Sequence, residues 1–320
     1  MNILVVRNDK LGDFITALPA IYVLKKHNVD NKIVVLVAPL NKTLAEACGF
    51  IDEVIVDNGE RVFKLAQKIR HYNIDTSLTL FSNTRVAIAQ LLAFIPKRIA
   101  PATKIAQIFY TNRVKQRRSQ VKMAEFEYNL ELTKELFNDI DLDYEKPLLE
   151  FSDAKKVYDV FRINNDIEKE VLCFHVGFGG SSDANWSLDE YEILIRATVK
   201  TNRYQVVMTF GPDEKDLYED MQRRLYDLHI VYYLSLDGLL YFAKLISSFK
   251  LFVSTSTGTY HVASLVGTPT MTFFGSSLFA SAKRWKGIGE ESKQEHFMIP
   301  VEVNERAKLF EEVKTDLLSF

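Results

Sequence analysis

The sequence predicts an α/β protein of two domains, each a parallel sheet covered by helices. Three observations carry this. A chain of 320 residues exceeds what one hydrophobic core usually organises, so two domains are expected. Apolar runs such as ILVV at 3–6 and IVVLV at 33–37 are continuous rather than alternating, which marks strands buried on both faces. Helix-length segments separate these runs, and the whole pattern restarts past the middle of the chain, as βαβ units do.

In the first half, a strand at 3–6 is followed by a helix over about 14–27, then a strand at 32–37, a helix near 42–48 and a strand at 53–56. A helix at 62–70 and a strand at 76–81 follow. The second half opens with a strand at 171–176, a Gly/Ser-rich loop at 177–182 and a helix at 191–199. A strand at 205–210 ends at Gly211-Pro212, and a helix at 239–247 and strands at 251–253 and 270–274 complete the series. Residues 139–169 carry more charge and fewer apolar runs, so the domain junction is placed there, giving Rossmann-like domains at 1–150 and 151–303. The helical periodicity of 304–320 suggests a last helix that packs back across the junction.

Composition excludes several classes. A formal net charge of −2 argues against a nucleic-acid-binding protein, so any electrostatic role falls to a local patch. Cys48 and Cys173 lie far apart in apolar surroundings, which reads as buried thiols in a reducing compartment rather than a disulfide or metal site. The six histidines show no metal-ligand spacing. With no signal-peptide pattern and no apolar run of membrane-spanning length, a cytoplasmic location is expected. One bias stands out: residues 76–124 hold no acid, yet include Arg85, Lys97, Arg98, Lys104, Arg113, Lys115, Arg117, Arg118 and Lys122. Either counter-charges come from elsewhere in the fold, or this is a rim that holds an anionic partner.

Two stretches are placed where α/β proteins hold ligands, after a strand and before a helix. In Arg7-Asn8-Asp9-Lys10-Leu11-Gly12-Asp13, Asp13 is either the N-cap of the following helix or a general base. Gly12 allows a close approach or a left-handed backbone, Arg7 and Lys10 can tune Asp13 or meet a phosphate, and Asp9 is a rival carboxylate. The second stretch, Ser254-Thr255-Ser256-Thr257-Gly258-Thr259-Tyr260-His261, clusters hydroxyls around a glycine at a helix start, a cradle for phosphate or an elaborate cap. The loop Gly177-Phe178-Gly179-Gly180-Ser181-Ser182 offers backbone N–H groups to an anion without being a Walker A motif.

Taken together, these residues resemble glycosyltransferase family 9, the heptosyltransferases of lipopolysaccharide core assembly. The Leu-Gly-Asp loop, Ile15-Thr16-Ala17-Leu18-Pro19-Ala20, His175-Val176-Gly177 followed by Trp186, Ser256-Thr257-Gly258-Thr259-Tyr260-His261, Gly267-Thr268-Pro269, Phe274-Gly275 and Arg284-Trp285 match its pattern in order. The resemblance implies a GT-B fold, two Rossmann-like domains facing a central cleft, and an inverting transfer that needs no metal or cofactor. A nucleotide sugar, ADP-heptose, would bind the C-terminal domain through Gly177, Ser181, Ser182, Asn185, Glu214, Ser256, Thr257, Gly258, Thr259 and His261. An anionic glycolipid or glycan acceptor would bind the N-terminal domain through Arg7, Lys10, Gly12, Arg113, Arg117 and Arg118, with Asp13 as base. The protein would then work on the cytoplasmic face of the inner membrane, in peripheral contact with it. Ser256 and Ala184 depart from the pattern, standing where the family usually has an acid and a lysine. A family member acting only as a sugar-nucleotide scaffold, and a GT-B sugar-nucleotide epimerase, are the alternatives.

Overall fold

The computed structural model describes residues 1–103, 105–178 and 185–320. The chain divides into two compact units, Met1–Glu145 and Lys146–Phe320.

The first unit is a parallel sheet of six strands in the order β3-β2-β1-β4-β5-β6. Its strands are β1 (Asn2–Arg7), β2 (Lys32–Val37), β3 (Glu53–Val56), β4 (Thr76–Thr79), β5 (Lys97–Pro101) and β6 (Asn112–Val114). The apolar runs become the centre, because only strands covered on both faces can be wholly hydrophobic: Ile3, Leu4, Val5 and Val6 of β1 are all buried. The second unit repeats the plan in the order β12-β11-β10-β7-β8-β9. Here the strands are β7 (Val171–His175), β8 (Gln205–Phe210), β9 (Val231–Leu234), β10 (Leu251–Thr255), β11 (Thr270–Gly275) and β12 (Gln294–Ile299). In each sheet the chain starts at a central strand, winds outward, then returns to that strand's other side. That reversal falls between β1 and β4 in one unit and between β7 and β10 in the other. Ligands of open α/β sheets bind beyond the carboxyl ends of the strands at such reversals.

The helix expected over 14–27 is two helices, α1 (Leu11–Ile15) and α2 (Leu18–His27). Pro19 lies in the first turn of α2, where its missing N–H costs nothing, but it cannot donate back to continue α1. Asn129, fully buried, closes the gap by donating Nδ2–H to the Thr16 carbonyl at 3.0 Å. It comes from α6 (Glu125–Thr133), which follows α3 (Lys42–Ala47), α4 (Val62–Arg70) and α5 (Thr84–Leu92).

The second unit's helices are α7 (Ala154–Asn164), α8 (Leu188–Thr201), α9 (Lys215–Arg224), α10 (Leu239–Ile246), α11 (Gly258–Leu265), α12 (Ala282–Trp285) and α13 (Val303–Ser319). The last, the helix expected from the periodicity of 304–320, packs on its own unit. Its buried residues Phe310, Val313 and Leu317 belong to the core around Trp186, Tyr191 and Phe273 of its own unit, and Phe310 meets the Trp186 ring edge-on. Its periodic apolar stripe needs a sheet-packed face, and the nearest one is beside α8. Among the described residues no helix is long and apolar enough to cross a membrane.

Candidate active site

At the carboxyl end of β1 the chain turns directly into α1. The helix begins at Leu11 with Lys10 at the cap position, so Asp13 lies in the first turn and is not the N-cap. Gly12 is helical within α1, so neither a left-handed turn nor a cap explains the Leu-Gly-Asp sequence. The Asp13 carboxylate instead accepts a hydrogen bond from Nη2 of Arg7.

Arg7 organises this corner. Only 3% exposed, its guanidinium donates from Nε to Asp9 Oδ1 at 2.9 Å and pairs through Nη1 with Glu125 Oε1 at 3.4 Å. Burial pulls its pKa down, but Asp9, Asp13 and Glu125 together outweigh that and hold it above the ordinary value. Glu125, on the first turn of α6, also accepts from Arg118, whose guanidinium lies over the Tyr128 ring. Asp9 is buried enough that its carboxyl rises to about 6, opposed by Arg7 and assisted by Asp13. Asp13 is the more open carboxylate, with 21% of its side chain exposed. A carboxylate held at a strand end by a buried cation, with one edge open, can accept a proton from a bound hydroxyl. Of the residues expected to meet an anion here, Arg7 and Arg118 are committed to carboxylates, whereas Lys10, Arg113 and Arg117 are exposed.

The second unit brings three loops together. β7 and β10 are neighbours, with Ser254 beside His175, so the turn at Gly177 adjoins Ser256, Thr257, Gly258 and Thr259. β8 lies on the other side of β7 and delivers Glu214. Its carboxylate occupies the space a side chain at Gly177 would need, since a Cβ there would clash with Oε1. Glu214 is anchored by the Gly211 N–H at 2.7 Å and faces His175, whose Nε2 is 3.8 Å from Oε2. His175 Nδ1 contacts the Thr209 hydroxyl at 3.1 Å; its burial lowers the imidazole pKa, with Glu214 opposing.

At the start of α11, Thr257 holds the cap position without a side-chain cap bond, and its hydroxyl contacts that of Thr259 at 2.8 Å. The first N–H groups of the helix therefore retain capacity for an anion. Not all the hydroxyls serve such a cradle: Ser254 and Thr255 are fully buried in β10, and Thr255 donates to Asn185 Oδ1. Asn185 also makes internal bonds, its Oδ1 accepting from Tyr191 as well and its carbonyl from Arg306. His261 is 4% exposed and its pKa falls to about 4 through burial, so the ring is neutral near pH 7; its Nδ1 has no partner among the described residues. Ser181, Ser182 and Ala184 lie outside the described residues. Among the described residues, no group of three His, Cys, Asp or Glu side chains could hold a metal ion.

Residues 62–304 match the sequence profile of glycosyltransferase family 9 (heptosyltransferase). A Haemophilus influenzae protein provisionally named as a glycosyltransferase is 36% identical over 309 residues, covering 93% of this chain and 89% of its own length. The chain belongs to glycosyltransferase family 9. Its fold is that of the GT-B heptosyltransferases. The E. coli ADP-heptose LPS heptosyltransferase II superposes with a TM-score of 0.81 at 18% identity, over 100% of this chain and 99% of that one. An E. coli heptosyltransferase solved with ADP gives a TM-score of 0.71 at 17% identity, over 98% and 100% of the two chains. A UDP-GlcNAc 2-epimerase from Methanocaldococcus jannaschii shares the fold at a TM-score of 0.59 and 13% identity, over 100% and 93%.

Two contributors to this family 9 site carried little signal in sequence. Glu125 is far from Arg7 along the chain, and its one clue is that it is the first acid after the acid-free stretch. Asp57 joins Asn8 and Arg85 beyond the ends of β1 and β3; nothing in its local sequence points there.

Proposed function

We propose that this family 9 glycosyltransferase transfers a heptose from ADP-heptose to a lipopolysaccharide-core or related glycan acceptor, with inversion and without a metal ion. Each unit contributes one substrate: the first an anionic acceptor, through Asp13, Lys10, Arg113 and Arg117, and the second the nucleotide sugar. The observation that carries the reading is the Asp13 carboxylate, fixed by Arg7 at the carboxyl end of β1 and partly open.

Asp13 accepts the proton of an acceptor hydroxyl as that oxygen attacks the anomeric carbon. The bond from this carbon to the diphosphate oxygen breaks on the opposite face, and its electron pair leaves with the nucleoside diphosphate. Charge developing there is met by the free N–H groups at the start of α11. Glu214, fixed by Gly211 and given room by the bare Gly177, is suited to accept hydrogen bonds from ribose hydroxyls. Of the structures that share the fold, one is named an ADP-heptose LPS heptosyltransferase and another was solved with ADP, which supports adenine as the base. Work at the cytoplasmic face of the inner membrane, where a lipid-linked acceptor would be met, belongs to the same reading.

The test is Asp13→Asn. Transfer from ADP-heptose should fall by about a hundredfold or more, the usual scale for a lost general base, while ADP still raises the melting temperature as it does for the wild type. Wild-type transfer by the variant would overturn the assignment of the base. A melting-temperature rise with UDP or GDP exceeding that with ADP would overturn the donor.

A further inference from the structure

The acid-free stretch separates into an inner set of cations and an outer one. Arg85 pairs with Asp57, Arg98 donates to the carbonyls of Ile95 and Phe109, and Arg118 pairs with Glu125. From Thr111 to Arg118 exposure alternates residue by residue, as side chains of a strand point to opposite sides. The strand itself is β6, and the chain leaves the extended conformation at Arg117, whose φ of 47° opens a short 3-10 turn. The inward residues dock the segment on α6: Gln116 donates to the Tyr128 carbonyl at 2.6 Å and Arg118 lies over its ring. Three successive outward positions are Arg113, Lys115 and Arg117, with exposed Lys122 just beyond. None of the four has an ion-pair partner among the described residues.

Beside this stripe is a short 3-10 turn, Ile105–Phe109. Ile105 and Ile108 are 76% and 64% exposed, and a spacing of three aligns them on one side of a 3-10 turn. Ala106 and Tyr110 seat the turn against Ala87 of α5 and Ala100 of β5. Arg113 is paired with Ala100 in the parallel register, so both side chains rise from the same sheet face. The two isoleucines and the cationic stripe therefore share one side of the first unit. Charges on an edge strand also discourage edge-to-edge aggregation, but that role gives no reason for a pair of solvent-facing isoleucines next to them.

We propose that this face docks on an anionic lipid bilayer, the isoleucines entering the headgroup–acyl boundary and Arg113, Lys115, Arg117 and Lys122 meeting lipid phosphates. Apolar anchors flanked by unpaired cations, in a stretch that itself holds no acid, fit such a surface in both hydrophobicity and sign of charge. The proposal extends the reading of a lipid-linked acceptor but does not need it, because vesicles without acceptor or donor test it alone.

The experiment is co-sedimentation of the full chain with vesicles of phosphatidylcholine and phosphatidylglycerol at 3:1, against phosphatidylcholine alone, in 0.1 M salt. The wild type should bind the anionic vesicles and bind less as salt rises. Arg113→Gln, Lys115→Gln and Arg117→Gln together should weaken binding roughly a hundredfold, on the usual scale for three cations at such a surface. Ile105→Ser with Ile108→Ser should also release the protein, while the ADP-induced rise in melting temperature shows that both variants are folded. Equal binding to both vesicle types, or triple-variant binding equal to wild type, overturns the proposal. So does self-association in solution that the isoleucine variant abolishes without any vesicle binding by the wild type. Failure here leaves the sugar-transfer assignment untouched, since that is read by Asp13→Asn.

Discussion

Arg7 meets carboxylates from two distant parts of the chain, Asp9 and Asp13 beside it and Glu125 on α6. Three acids in so small a volume are tolerable only with a buried cation among them. Replacing Arg7 with Leu keeps much of the volume and removes the charge. At pH 7.5 this should destabilise the protein by about 3–5 kcal/mol, the usual cost of stripping a buried charge of its partner. The carboxylates left behind repel one another and take up protons more readily in the folded chain than in the unfolded one. Folded molecules then bind more protons, so the variant recovers stability as pH falls toward 5. Urea unfolding at the two pH values checks this; an equal loss at both would mean that Arg7 acts by packing alone. The Asp13 side of this cluster was legible as a strand–Leu-Gly-Asp–helix sequence. Its cap reading failed because helix onset depends on the backbone around Lys10, which leaves no mark in the residue types. Glu125 was hidden because a long-range ion pair has no spacing rule.

Elements were most legible where one physical cause dominates. Continuous apolar runs marked β1, β2, β7, β8 and β11 because strands buried on both faces admit little else. By contrast β5 (KRIAP), β6 (NRV) and the short α5 lay unseen in the basic stretch. β6 is the edge strand, where charge is accepted, β5 beside it has only three buried residues after Lys97 and Arg98, and such short lengths give periodicity little room. The break between α1 and α2 was foreshadowed by Pro19, yet what stabilises it comes from α6. Asn129 is buried and its amide satisfies the Thr16 carbonyl. Asn129→Ala should leave that carbonyl without a partner and cost about 1–3 kcal/mol, read as a lower urea midpoint. Because α1 carries Asp13, the same variant should reduce transfer more than it reduces ADP binding. Loss of ADP binding in step with transfer would show that the break does not position the base.

At the scale of the whole molecule, the buried groups most strongly shifted in the acid range act in opposite senses: Asp9 in the first unit and three histidines in the second. Within the first unit Asp57 and Glu60, held low by Arg85 and Lys68 against their burial, work against Asp9. In the first, the Asp9 carboxyl is raised to about 6 by burial, with Arg7 opposing and Asp13 assisting. An acid whose folded pKa is raised contributes stability at low pH and loses it as pH rises through 6. In the second unit three histidines are depressed: His261 to about 4 by burial, His296 to about 4 by burial and then Lys286, with Glu291 opposing, and His175 by burial against Glu214. The unfolded chain takes up these protons below pH 6.5 while the folded unit does not, so stability is full above 6.5 and falls as pH drops toward 4. For the nearly inaccessible His261 alone the loss is of order 3 kcal/mol. The two effects can be separated because both tryptophans of the chain, Trp186 and Trp285, belong to the second unit. Urea unfolding followed by tryptophan fluorescence should therefore show a midpoint that falls between pH 7.5 and 4.5. His261→Phe, which keeps an aromatic ring of similar size and cannot be protonated, should make that slope shallower. A midpoint that holds or rises across this range would mean that the imidazole rings charge in the folded state, and that solvent reaches the interior beside α11.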